Sequence, residues 1–341
     1  MMKNWKKIII LLVIFVIFLV TFIYLNGQIN KTNNESEDPA DTASSDEIKL
    51  IDIEKDDITK IILKRDDGQI VLTLEERDVE TLRYNEDGSM TKEPEKKMVW
   101  VNPYFDVDND LVEDMVYAAS TVMTKRLINT NPDDLKIYGL NNTIINTFVS
   151  KEGKEVSIEI GNLTPLQDSY YVKRLDQPEI YTIDSYSGET FRYGKLDLMN
   201  RNIYGTEAVT VYDIDYLAYH RDGEHVFSVE KKTDEDWVIT DPTPEQETNF
   251  IELSKFLNWI SSFRVKEFIE EEPSDLSQYG LDAPKYVFEF TLYGKTYRIM
   301  LGSKNESDYY GILDGTDTVF TVDGTSLNFV DLTLKDLQKL E

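Results

Sequence analysis

One property constrains this chain of 341 residues more than any other: it repeats itself. Displaced by 141 positions, residues 124–162 lie on 265–303 without a gap, and 12 of the 39 pairs are identical. Lys125/Lys266, Gly153/Gly294 and Gly161/Gly302 are among them. With two residues deleted, the match resumes at Tyr170-Tyr171 and Tyr309-Tyr310 and runs through Tyr181/Phe320 to Asp184/Asp323. Upstream, Trp100-Val101 corresponds to Trp237-Val238. Solenoids and propeller blades repeat every ~20–50 residues, so this spacing predicts two copies of a domain-sized fold instead. The copies are expected near residues 48–200 and 205–341.

Each copy shows the same order of elements. A hairpin opens it: Ile70, Leu72 and Leu74 alternate with polar residues after Asp67-Gly68, and Val226 and Ser228 follow Asp222-Gly223. A helix comes next, with Leu111, Met115, Ala118 and Val122 in one copy and Phe250, Leu253, Leu257 and Ile260 in the other. Spacings of three and four give each helix one buried stripe. The return strand of a second hairpin reads Val156, Ile158, Ile160 and then Tyr297, Ile299, Leu301. Strands grouped around one helix predict an α+β fold with antiparallel sheets.

Between helix and second hairpin lies P-x-D-L-x-x-Y-G-L. It comprises Pro132, Asp134, Leu135, Tyr138, Gly139 and Leu140, repeated as Pro273, Asp275, Leu276, Tyr279, Gly280 and Leu281. Every residue has a structural task. The Asp accepts from backbone N–H groups to cap a single turn, the Gly supplies a left-handed residue that ends it, and the last Leu folds back on the first. The motif is therefore read as a corner rather than a site.

Ahead of the copies, residues 8–25 read IIILLVIFVIFLVTFIYL, uncharged between Ile8 and Leu25. As a helix this spans ~27 Å, close to a bilayer's hydrocarbon core. No small-x-small cleavage pattern follows, which favours a retained anchor over a removed signal peptide. Lys3, Lys6 and Lys7 precede it, so residues 1–25 are expected to form a cytoplasmic stub and anchor, with the bulk outside. Residues 26–47 are polar and acidic and predict a disordered tether.

The formal net charge of −28 argues against nucleic-acid binding, which needs cations to neutralise phosphates. No Cys is present and only 2 His, which removes disulfides, thiolate nucleophiles and Cys-ligated zinc.

Anchor, acidic tether and doubled corner, with Gly153-Lys154 and Tyr170-Tyr171-Val172 following, resemble an uncharacterised bacterial domain family. Its members are membrane-anchored extracytoplasmic proteins, often encoded beside gliding-motility-type ABC exporter components. The resemblance implies an exporter or other envelope protein as partner and brings no catalytic residues.

Other candidate chemistry is thin. His220 and His225 flank a hairpin turn and offer two metal ligands where zinc wants three or four. Asp106, Asp108 and Asp110 open like a calcium-binding loop, but Leu111 and Tyr117 stand where Gly and Glu are required. Lying just before a helix, these acids are expected to cap it, as are Asp241 and residues 245–247 in the second copy. Ser228 and Lys231 have a Ser–Lys spacing but sit in a strand pattern. No catalytic, cofactor-binding or metal-binding residue is assigned. The expectation is a non-enzymatic accessory or interaction module of an envelope complex. Two alternatives stay open: a wall-polymer or carbohydrate binder using Tyr170-Tyr171 and Tyr309-Tyr310, and a carboxylate-dependent hydrolase.

Overall fold

Alternating apolar residues and tight turns build two antiparallel sheets in succession. The computed structural model describes residues 48–85, 90–205, 208–234, 236–243 and 246–339. The apolar segment and the acidic tether lie outside them. Among the described residues no helix is long and apolar enough to cross a membrane.

The first sheet comprises β1 (Ile58–Arg65), β2 (Gly68–Tyr84), β3 (Met90–Val101), β4 (Arg126–Asn129), β5 (Ile145–Ser150), β6 (Glu155–Leu163), β7 (Ser169–Arg174) and β8 (Ile180–Asp184). Their spatial order is β3-β2-β1-β5-β6-β7-β8-β4. The second comprises β9 (Ile214–Arg221), β10 (Glu224–Lys231), β11 (Trp237–Asp241), β12 (Gln246–Glu247), β13 (Glu267–Glu271), β14 (Tyr286–Leu292), β15 (Lys295–Asn305), β16 (Asp308–Leu313) and β17 (Thr318–Val322). Its order, β12-β11-β10-β9-β14-β15-β16-β17-β13, is that of the first with one short edge strand added. The duplication thus extends to the topology. Both sheets belong to one compact unit, Lys49–Glu341.

Each sheet buries one face under a helix. Helix α1 (Asn109–Thr121) sets Val112, Met115, Val116 and Ala119 against Ile61, Leu63, Phe148 and Ile158. Short helices α2 (Ser185–Thr190) and α3 (Lys195–Leu198) close the first half. Helix α4 (Phe250–Ser261) sets Leu253, Phe256, Leu257 and Ile260 against Leu217, Tyr219, Phe288 and Ile299, and α5 (Leu334–Leu337) ends the second half. Leu111 and Phe250, at the helix starts, are only half-buried. Asp108 and Asn249 hold the N-cap positions without a side-chain capping bond, and the acids in the first turns are Asp110 and Glu252.

Three details depart from the sequence reading. In β10 the core residues are Phe227 and Val229, not Val226 and Ser228. The ladder to β9 jumps between His225 and Phe227, and this one-residue bulge exchanges the faces. Second, the ungapped alignment slips inside the corresponding hairpins. Phe148 pairs with Ile61 and its counterpart is Phe290, paired with Leu217, so β5 and β14 match at 142 rather than 141. The second copy carries one more residue before the strand and one fewer in the turn after it. A slip in the strand alone would have turned its core side chains to solvent. Third, β2 and β3 run far beyond the sheet. From Leu74/Trp100 to Tyr84/Met90 they pair only with each other, forming a ribbon with no counterpart among the described residues of the second copy.

Candidate functional site

The corners come first, because the sequence singles them out. Asp134 accepts from the Lys136 amide at 2.9 Å, and Asp275 from the Ser277 amide and hydroxyl, each at 2.8 Å. Both open a single 3-10 turn. Gly139 (φ 74°) and Gly280 (φ 68°) end these turns in the left-handed region. The Leu140 and Leu281 amides return to the Leu135 and Leu276 carbonyls at 3.1 Å. A Cβ on Gly280 would come within 2.8 Å of the Ser303 amide nitrogen. One on Gly161 or Gly302 would press on the carbonyl of Tyr138 or Tyr279, so two repeated glycines let corner and return strand touch. Tyr138 meets Tyr171 edge-on, and Tyr279 meets Tyr310 in the same way. Tyr279 donates to Glu270, which pushes its phenol up to about 12. Pro132 and Pro273 are half-buried where the corners begin.

The other candidates do not assemble as metal or Ser–Lys sites. Lys231 donates to the Tyr212 carbonyl at 2.6 Å and pairs with Asp215 at 3.0 Å, leaving Ser228 to other partners. The His220 and His225 rings lie 5.0 Å apart. Burial, and then His225, hold the His220 pKa low. Among the described residues no group of three or more His, Asp or Glu could hold a metal ion.

The structure shows instead a cleft between the two halves, lined in part by Asp108 and Asp110 of the acidic run before α1. The ribbon reaches across: Lys92 lies 3.1 Å from Asp213 and 4.3 Å from the centre of the Tyr293 ring. Lys195 and Glu271, 2.6 Å apart, make another bridge. Between these ties, Val79 and Val99 of the ribbon face the connector at Asn200–Gly205 and the end of α4 across 690 Å³. A second cavity of 470 Å³ continues past Asp108 and Arg264 onto an apolar floor of Trp259, Phe263 and Val322. Buried Asp108 and exposed Arg264 are 3.4 Å apart. Arg201 lines this cavity. Its carbonyl accepts from the Val265 amide, but its buried Nε has no hydrogen-bond partner. Desolvating a guanidinium nitrogen without a partner is costly, which makes this cleft the candidate place for an acceptor. It offers charge and an aromatic floor, which suits binding.

A family model described as "domain of unknown function (DUF4340)" matches residues 99–284 and 248–340. The chain belongs to the DUF4340 family. Matches in two overlapping spans agree with a DUF4340 fold whose elements occur twice. No curated protein and no solved structure matches it.

Proposed function

We propose that this DUF4340 protein is a membrane-tethered extracytoplasmic module of an envelope complex, anchored through residues 8–25 with its N-terminus in the cytoplasm. Its cleft receives a carboxylate-bearing segment of a partner, and an ABC exporter component is the partner that the sequence resemblance suggests. The observation that carries this reading is Arg201, whose Nε is buried beside an aromatic floor with no acceptor of its own. An acidic partner segment would supply one, as arginine–carboxylate pairing does elsewhere.

The alternatives find less support. Tyr171 and Tyr310 pack edge-on against the corner tyrosines and Tyr309 against Tyr286, so these rings are not an open platform for sugar. Asp52, Asp168, Asp176, Asp275 and Asp323 are held below the usual carboxylate range by hydrogen bonds. A glycosidase's general acid needs the opposite shift. Co-purification of the tagged full chain from its own membranes tests the proposal. An exporter component should accompany the wild type and be lost with Arg201→Ala at unchanged abundance. Equal recovery with the variant would refute the role of the cleft.

A further inference from the structure

The two sheets differ at one polar cluster on the outer face of the second. Phe227 and Val229 of β10 and Ile239 of β11 face the core. A strict period of two would send His225 and Asp241 inward with them. Each strand carries one extra residue that prevents this. The ladder jumps between His225, opposite His220, and Phe227, opposite Tyr219. It jumps again between Ser228, opposite Asp241, and Val229, opposite Ile239. Directly paired residues share a face, so His225 joins His220, and Asp241 joins Ser228, on the outer surface. Bulges that re-aim side chains in this way are frequent beside active sites.

The result is a directional relay. Asp241 Oδ2 lies 2.9 Å from His225 Nδ1, and His225 Nε2 lies 2.9 Å from Ser228 Oγ. An ionised carboxylate only accepts, so Nδ1 carries the proton and Nε2 is left to accept from Ser228. The Tyr216 hydroxyl donates to Ser228 Oγ at 3.2 Å. Neutral His220 beside the cluster adds no fixed charge to oppose an imidazolium. In the first sheet the corresponding ladders run without a jump, and Val71, paired with Ile62, stands where Ser228 pairs with Ala218. A scaffold residue would be expected in both copies.

We propose that Ser228, His225 and Tyr216 form an acyl-transfer site positioned by Asp241, an activity beyond the binding role of the cleft and independent of it. Ser228 Oγ bonds to the carbonyl carbon of an ester as its proton passes to His225 Nε2. The carbonyl electron pair moves onto oxygen, where the Tyr216 hydroxyl donates to it. Collapse breaks the bond to the alcohol oxygen, which takes the proton from Nε2. Water then attacks the acyl-serine by the same route, releasing the carboxylic acid and restoring Ser228. Ser228 keeps only 6% of its surface exposed. The substrate class is therefore a small acyl ester, acetyl-sized.

The test uses the full chain with a fluorophosphonate probe and p-nitrophenyl acetate. One probe per chain should attach, at Ser228, and Ser228→Ala should abolish both labelling and ester hydrolysis. Asp241 is largely exposed, so Asp241→Asn should keep the melting temperature while slowing both by about 100-fold or more, because the imidazole loses its tautomer. No labelling of Ser228 in the folded wild type, or labelling equally fast in Asp241→Asn, would overturn the proposal and leave the cluster as a structural network.

Discussion

Gly280 shows how tightly a single residue can be specified. Its left-handed backbone alone makes a Cβ cost about 1–2 kcal/mol, before any push against the Ser303 amide. Gly280→Ala is therefore expected to lower the melting temperature by several degrees, and Gly139→Ala, which would crowd Asn162, should do likewise. Thermal unfolding of the two variants, side by side, checks that a repeated corner does the same work twice. Asp275 differs from Asp134 in making two bonds to Ser277 where its counterpart makes one to Lys136. The Ser277 hydroxyl and then its amide hold the Asp275 carboxyl low. A depressed folded pKa means its stabilisation is complete above the unfolded value near ~3.9 and is lost as pH falls through the folded one. Melting curves should show Asp275→Ala less stable than wild type at pH 7, with the gap closing below about pH 4. A gap that stays constant to pH 2 would contradict the hydrogen-bonded assignment.

Elements were legible where their pattern is local. The corner motif, the three-and-four spacing of both helices and the inward faces of β6 and β15 follow from spacing alone, and the structure places them so. What escaped depends on extra residues or distant partners. Val226 and Thr240 each interrupt a strand by one position, and nothing in composition distinguishes a bulged strand from a regular one. The same holds for β5 and β14, whose compensating one-residue changes fall where the two copies share no identities. The ribbon's mixture of Glu, Lys and Arg reads as solvated surface, because its role as a tie rests on Lys92 meeting Asp213, 121 residues away. The duplicated Arg65 and Arg221 also have distant partners that no local pattern marks. Arg65 donates to the Tyr193 carbonyl at 2.9 Å and Arg221 to that of Val330 at 3.0 Å, each joining its first strand to the chain after the last. Burial draws the Arg65 guanidinium down to about 10.

At the scale of the whole molecule, duplication accounts for the architecture, and the proposed function rests on the differences between the copies. Among the described residues the ribbon occurs once, and with the connector at Asn200–Gly205 and the end of α4 it encloses a cleft that neither half possesses alone. The corner, by contrast, occurs twice with matching contacts, as a scaffold requires. Site-resolved photo-crosslinking in living cells compares the two surfaces directly. A photoreactive residue at Ser262, exposed in the cleft, is set against one at Lys136, exposed on the first corner. An adduct with an exporter or other envelope membrane protein from Ser262, absent from Lys136 and lost on adding Arg201→Ala, is the expected result. No adduct from Ser262, or equal adducts from both positions, would contradict a cleft that binds the partner.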